Sequence, residues 1–317
     1  MGRQTVTPVD IVWIKGITNP ETVRAVERRV AEIDIDALIA TGNLEEYIAD
    51  DIHTAFPTLA YTERPDRFSA GVVEGRVGLL IDGLPLGWLL PGTLSQFFKT
   101  PQDKSQGWMA ASALMVLRYL CMLITLFLPA VYIAAVTFHL EMLPTELALS
   151  IIAAKQDVPF TTVFEVLLML VAFEIIQEAG LRLPSSIGQT VSILGGLVVG
   201  SAAVEARIVS PAVLIVVAVA GIAGYTMPSQ DFAGALRIWR FGLAALASLA
   251  GMFGAAIGAL LLICHLASLE SFGVAYLTPF AANDGEQVEG HAVIRQPLPS
   301  VKLRETALKT QNRRNQR

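Results

Sequence analysis

Three carboxylates stand where charge is costly. Glu165, Glu174 and Glu178 fall in Phe160–Glu178, a stretch otherwise rich in Val, Leu, Met, Phe and Ile. An ionised acid in hydrocarbon costs at least about 2.5 kcal/mol on insertion scales, so such groups turn toward a protein interior or a watery path. The chemistry they could do is attraction of cations, as rings of carboxylates or as the lining of a vestibule. Glu165 and Glu178, with Arg182, could instead lie at an interface where charge is cheap. The chain then runs through Leu183-Pro184-Ser185-Ser186 into a segment of small residues, with Gly188, Ser192, Gly196 and Gly200 recurring every fourth position and Gln189 and Ser201 adding mild polarity. Such a stripe lets helices approach closely. Packed around an axis, it would make Gly195, Val198 and Val199 a narrow apolar constriction able to gate by dewetting. The plainer alternative is tight packing within one subunit. Glu205 and Arg207 bracket its far end as interfacial anchors.

Other polar groups offer less. Thr62-Glu63-Arg64-Pro65-Asp66 precedes a strand-like region; Glu63, Arg64 and Asp66 could touch a neighbouring subunit, or simply cap and turn the chain around Pro65. His139, Cys264 and His265 have no second ligand at metal spacing. Cys121 and Cys264 are the two cysteines, both in apolar runs, which excludes a disulfide framework. No P-loop, G-x-G-x-x-G, H-E-x-x-H or G-x-S-x-G motif occurs, so no enzyme, cofactor or metal is expected, and nothing marks a nucleic-acid binder. Arg313, Arg314 and Arg317 make the C-terminal end basic, which suits a disordered topogenic tail or contact with anionic lipid.

The elements that must position these residues follow from charge distribution. The chain is 53% hydrophobic and 16% charged, against about a quarter charged in soluble proteins. Residues 1–107 carry ordinary charge, whereas charge is sparse from Ala110 to Phe280. Val9–Lys15 reads as a strand, and Asn19–Pro20 opens a helix with Val23, Val26, Val30 and Ile33 on one face. Leu44–Ile52 reads as a second helix. Phe68–Val73, Arg76–Ile81 and Leu84–Leu90 read as strands joined at Glu74–Gly75 and Asp82–Gly83. Beyond the polar boundary at Lys99–Gln106 come five apolar segments near membrane-spanning length: Leu114–Phe138, Phe160–Glu178, Ile187–Val204, Pro211–Met227 and Gly242–Leu266. The expected fold is a multi-pass α-helical membrane domain (108–280) preceded by a small cytoplasmic α/β domain (1–107) and followed by a basic cytoplasmic tail (281–317). No signal peptide is visible. Lys99, Lys104 and Arg118 before the first segment, and the basic tail, place both termini inside. Five crossings cannot do that, so one segment must be irregular. The sequence favours Pro184, with a fold-back of the long last segment as the alternative.

Several blocks together resemble the A subunits of GerA-type spore germinant receptors: ITNPETVRAVERRVAEIDID from Ile17, FPTLAYTERPDR at Phe56–Arg67, VEGRVGLLIDGLP at Val73–Pro85, LPAVYIAAVTFHLEMLPTEL at Leu128–Leu147, EAGLRLPSSIGQTVSILGGLVVGSAAVEA at Glu178–Ala206 and SFGVAYLTPFA at Ser271–Ala281. A stage V sporulation paralogue shares the pattern. The resemblance implies a nutrient-sensor subunit of the spore inner membrane that assembles with a transporter-like B subunit and a lipoprotein C subunit. It further implies a homo-oligomer that conducts monovalent cations. Members usually have a longer N-terminal region than stands ahead of residue 8 here. A secondary transporter and a non-conducting scaffold are the competing functions; no internal repeat supports the former.

Overall fold

The computed structural model describes residues 7–36, 41–182, 199–280 and 293–315. The chain forms two compact units, one of Met1–Tyr119, Pro228–Phe232 and Ile263–Arg317, the other of Leu120–Met227 and Ala233–Leu262. The first therefore extends past the boundary expected at residue 107.

In the first unit, β1 (Val9–Val12) leads into α1 (Pro20–Glu32). Asn19 caps α1, its side-chain oxygen accepting from the Glu21 amide at 3.0 Å, and Pro20 supplies the preset φ of a first helical residue. Val23 and Val26 are buried against α2 (Thr41–Ile48) and a four-stranded sheet. The remaining strands are β2 (Ala60–Thr62), β3 (Val77–Ile81) and β4 (Gly87–Leu90), in the order β1-β3-β4-β2, all antiparallel. Leu79 pairs with Trp88 across the centre, and Tyr61 pairs with Trp88 from the other side. Phe68–Val73, expected as a strand, is instead the body of helix α3 (Pro65–Glu74). Pro65 begins it, Asp66 stands in its first turn, and Gly75 ends it with φ 106°. The glycine that suggested a hairpin turn is thus a helix cap. The sheet has room for that helix because Gly78 and Gly87 carry no side chains. A Cβ at either would lie 2.4 or 2.6 Å from the Phe68 ring.

Short helices α4 (Leu94–Phe98) and α5 (Pro101–Ser105) follow. Residues 293–315, expected to be a disordered tail, are folded within this unit. The Gln311 amide donates to the Ile17 carbonyl at 2.9 Å, and Arg304 Nε donates to the Val73 carbonyl at 3.1 Å. Glu305 meets Lys99 Nζ at 2.9 Å and the buried Arg76 guanidinium at 3.0 Å. The basic composition that suggested disorder is satisfied by carbonyls and carboxylates of the same unit.

The second unit is helical. It contains most of α6 (Trp108–Phe138), then α7 (Thr145–Lys155), α8 (Thr162–Arg182), a helical run at 199–205, α9 (Pro211–Gly224) and the body of α10 (Gln230–Ser268). Its core gathers Ile133, Val166, Leu170, Val213, Val217 and Ala244. α8 and α9 approach so closely that a Cβ on Gly221 would lie 2.2 Å from the Phe173 ring.

α10 is not straight. Ala250 and Gly251 leave helical geometry, Gly251 with φ 61° and ψ −138°. Beyond that point the chain doubles back: a Cβ on Gly258 would lie 2.6 Å from the Leu243 side chain, fifteen positions earlier. At the two ends, Phe232 and His265 both lie against Phe56, with ring centroids 5.7 and 6.1 Å away. A straight helix would separate those two residues by about 50 Å. α10 is a helical hairpin, so the fold-back is in the last segment. The stretch around Pro184, favoured from sequence, lies outside the described residues.

The hairpin ends in a two-stranded ribbon, β5 (Glu270–Ser271) and β6 (Val274–Ala275), turned by Phe272 and Gly273 at φ 49° and 73°. Ser271 Oγ donates to the Thr58 carbonyl and accepts from the Gly92 amide, the Phe272 amide donates to Asp50, and the Arg29 guanidinium lies 4.4 Å from the Phe272 ring centre. The block from Ser271 is thus tied to Asp50, Thr58 and Gly92 within the first unit.

Candidate functional site in the helical unit

Glu165 is fully buried. One carboxylate oxygen accepts from the Ser210 amide at 2.8 Å, and the other lies 3.6 Å from Lys155 Nζ. Ser210 is the cap residue of α9, whose Pro211 occupies the first helical position. The carboxylate therefore sits against the positive end of a helix as well as a cation, the environment that stabilises a buried charge.

Glu174 lies further along α8. It accepts from Arg237 Nη1 at 2.6 Å and lies 3.3 Å from Arg240 Nη2. Arg237 and Arg240 are three apart on the first arm of α10, hence on one face. Arg240 is only 1% exposed, and its other neighbour is the Phe241 ring, 5.7 Å away. The sequence reading missed both arginines because it started the last apolar segment at Gly242. The signal was available upstream: Ser229 and Asp231 are helix-start residues, and they put the arginines inside the helix, not ahead of it.

Glu178 is exposed on the next turn of α8. Of the small-residue stripe, Val199 is exposed and Gly200 is buried, with a would-be Cβ 3.0 Å from Leu214 of α9. Gly200 thus lies in close approach to α9. Gly188, Gln189, Ser192, Gly195, Gly196 and Val198 lie outside the described residues. Arg207, bracketing the far end, pairs with Asp157 at 3.3 Å, both side chains well exposed.

In the first unit, Arg64 stands at the position just before α3, makes no side-chain cap hydrogen bond, and grips Asp66 through two hydrogen bonds of 3.1 and 2.8 Å. The Arg64 hydrogen bond holds the Asp66 carboxyl below its ordinary range. The pair is local to the start of α3, and Glu63 is exposed beside it. His265 shares a 3.0 Å hydrogen bond with Thr54, and His139 lies 3.5 Å from Glu141. Among the described residues no group of three His, Cys, Asp or Glu could hold a metal ion. One further cluster was not anticipated. Burial, followed by the charge of Asp231, pushes the Glu45 carboxyl up to about 7, and the same two causes push the Tyr61 phenol up to about 12.

The site is therefore a set of in-chain ion pairs that bind α8 to the loop before α9 and to the first arm of α10. Glu165 and Glu174 each have cationic partners, so the polar interior is electrostatically closed at those two points.

Residues 1–307 match the family described as Bacillus/Clostridium GerA spore germination protein. Spore germination protein B1 of Bacillus subtilis (strain 168) is 41% identical over 96% of this chain and 63% of its own length. Spore germination protein KA of the same organism is 41% identical over 93% of the chain and 54% of its own length. A protein named uncharacterized membrane protein YfkQ, also from that organism, is 40% identical over 91% of the chain and 56% of its own length. The chain thus spans roughly three-fifths of the length of the relatives it matches. No solved structure matches.

Proposed function

Because the chain belongs to the GerA family of spore germination proteins, we propose that it is a multi-pass membrane subunit of a spore germinant receptor. The observation that carries this reading is the inverted dressing of the helical unit. Large apolar side chains face outward, among them Ile175, Ile215, Leu249, Phe253 and Leu260, while Glu165 and Arg240 are buried. In water that arrangement wastes the hydrophobic effect, and in lipid it is the favoured one.

The internal contacts support six crossings. Gly251, at the tip of the hairpin, lies against Phe138 and His139 at the end of α6. Arg207 and Ser210 meet Asp157 and Glu165, which puts the start of α9 beside the start of α8. In this reading α6 runs outward, α8 and α9 both run inward, which requires one outward passage between them, and the two arms of α10 run out and back. α6 and α10 are long and apolar enough to cross, and each arm of α10 is near the roughly 20 residues required. An even number returns both termini to one side, the cytoplasmic side by the distribution of Lys and Arg.

The finer reading is an oligomeric, nutrient-gated cation channel subunit acting with a transporter-like B subunit and a lipoprotein C subunit in the spore inner membrane. With Glu165 and Glu174 engaged by cations of their own chain, the proposed axis is the stretch from Gly188 to Gly200, and Glu178 is its acidic entrance. Reconstituted with those partners, the protein should pass monovalent cations across liposomes when nutrient is added, and Gly196→Leu should abolish the flux. The same ion pairs favour a second reading, a signal-transducing subunit that does not conduct. Correct assembly and nutrient response without flux would select it.

A further inference from the structure

The first unit contains a cavity of about 500 Å3, within the range of small-ligand sites. Its walls come from α3, α5, the first turns of α6 and the folded tail. Lys99, Lys104, Arg295 and Arg304 line it, against Glu74, Asp103 and Glu305. The balance is more positive than that count. Both oxygens of Asp103 are taken by Arg118, at 2.7 and 2.9 Å, and Arg118 does not itself line the cavity. Lys99 engages Glu305 and Lys104 engages Glu74, each through an ammonium that has three N–H donors. Two lysine ammoniums with donors to spare therefore share one wall with an arginine-bearing tail.

The opposite character completes the site. Val73, Met115, Val301 and Leu303 also line the cavity. Met115 lies about 10 Å into α6 from Trp108, and Trp108 and Met109, where α6 begins, are exposed. Exposed Trp at the start of an apolar helix is the mark of a membrane–water boundary.

We propose that this cavity binds a phosphate-bearing anion, specifically the headgroup of an anionic phospholipid, with the phosphate on Lys99 and Lys104 and the glycerol end toward Met115. Choosing lipid over a soluble phosphate ester rests on α6 starting at a membrane surface; the phosphate chemistry does not. A lipid held there touches α6 and the tail at once, so occupancy would tie the first unit to the leaflet.

The test uses the full chain in detergent micelles, titrated with dioctanoyl phosphatidylglycerol, dioctanoyl phosphatidylcholine and glycerol 3-phosphate, with bound molecules counted by native mass spectrometry. Two variants act by different means: Lys104→Gln removes charge from a side chain that is largely exposed, and Ser69→Trp, from the α3 wall, fills volume. Unchanged circular dichroism shows that each still folds. The expected result is one phosphatidylglycerol retained at least tenfold more tightly than phosphatidylcholine, and loss of that preference in both variants. Glycerol 3-phosphate binding as tightly as the lipid, and lost in the same variants, would keep the phosphate site and assign it to a soluble ester. Equal retention of both lipids, or no effect of either variant, would overturn the site. Partition of the chain into the aqueous phase without detergent would refute the membrane reading separately.

Discussion

Arg240 carries a full charge in a position that is 1% exposed, and the Glu174 carboxylate is the only charge-bearing partner the described residues give it. Removing that partner leaves a buried cation uncompensated, which generally costs about 3–5 kcal/mol. Glu174→Gln is therefore expected to lower the thermal midpoint of the purified protein in detergent, and adding Arg240→Met should recover most of the loss. Recovery is the informative outcome, because a catalogue of separate packing defects would instead add. Glu45 makes a second prediction, about pH. Its carboxyl lies near 7 in the folded chain against an ordinary value of 4.5. The folded state thus holds a proton that the unfolded state releases earlier. Its contribution is present below about 4.5 and is lost as pH rises toward 7, at no more than about 1.4 kcal/mol per pH unit. Glu45→Gln should flatten the stability profile between pH 5 and 7 and leave the variant the more stable form at pH 8. At this scale the sequence exposed the acids but not their partners. A costly Glu is visible from its apolar neighbours, whereas Arg237 and Arg240 find it through a contact between α8 and α10 that no local pattern encodes.

Elements were legible where local chemistry acts alone. Asn19–Pro20 announces α1, and the apolar runs announce α6, α8 and α9. The failures came where one residue type serves two purposes. Gly75 is as suited to capping a helix as to turning a hairpin, and the deciding fact, Phe68 seated over Gly78 and Gly87, is tertiary. The sequence offered the fold-back of α10 only as an alternative and did not reveal its position, since Gly251 is one glycine among several in Gly242–Gly258. Its conformation, φ 61° and ψ −138°, is one that residues with a Cβ reach at a cost of roughly 1–3 kcal/mol. A Cβ there would also lie 3.0 Å from Phe138. Gly251→Ala is thus expected to destabilise by at least about 1 kcal/mol. Gly242→Ala, helical and with open space around it, should be neutral or stabilising by up to about 1 kcal/mol. Equal effects of the two in thermal unfolding would deny the reversal at Gly251.

For the whole molecule, the hairpin is what reconciles charge with topology. In the proposed membrane reading, five crossings would place the termini on opposite faces, while the basic residues at both ends ask for the same face. Counting α10 as two arms removes the conflict, and the Phe56 contacts with Phe232 and His265 are its geometric signature. Residues 293–315 fold within the first unit, so the proposed topology requires the tail to label from the same side as the rest of that unit. The most direct test is sided thiol labelling in membrane vesicles, with Cys121 and Cys264 replaced by Ser and single cysteines at exposed positions. Ala250→Cys at the hairpin tip and Met142→Cys beyond α6 should react with an impermeant maleimide from one face, and Gln311→Cys in the tail only from the other. Labelling of Ala250→Cys from the same face as Gln311→Cys would contradict a hairpin that crosses the membrane twice.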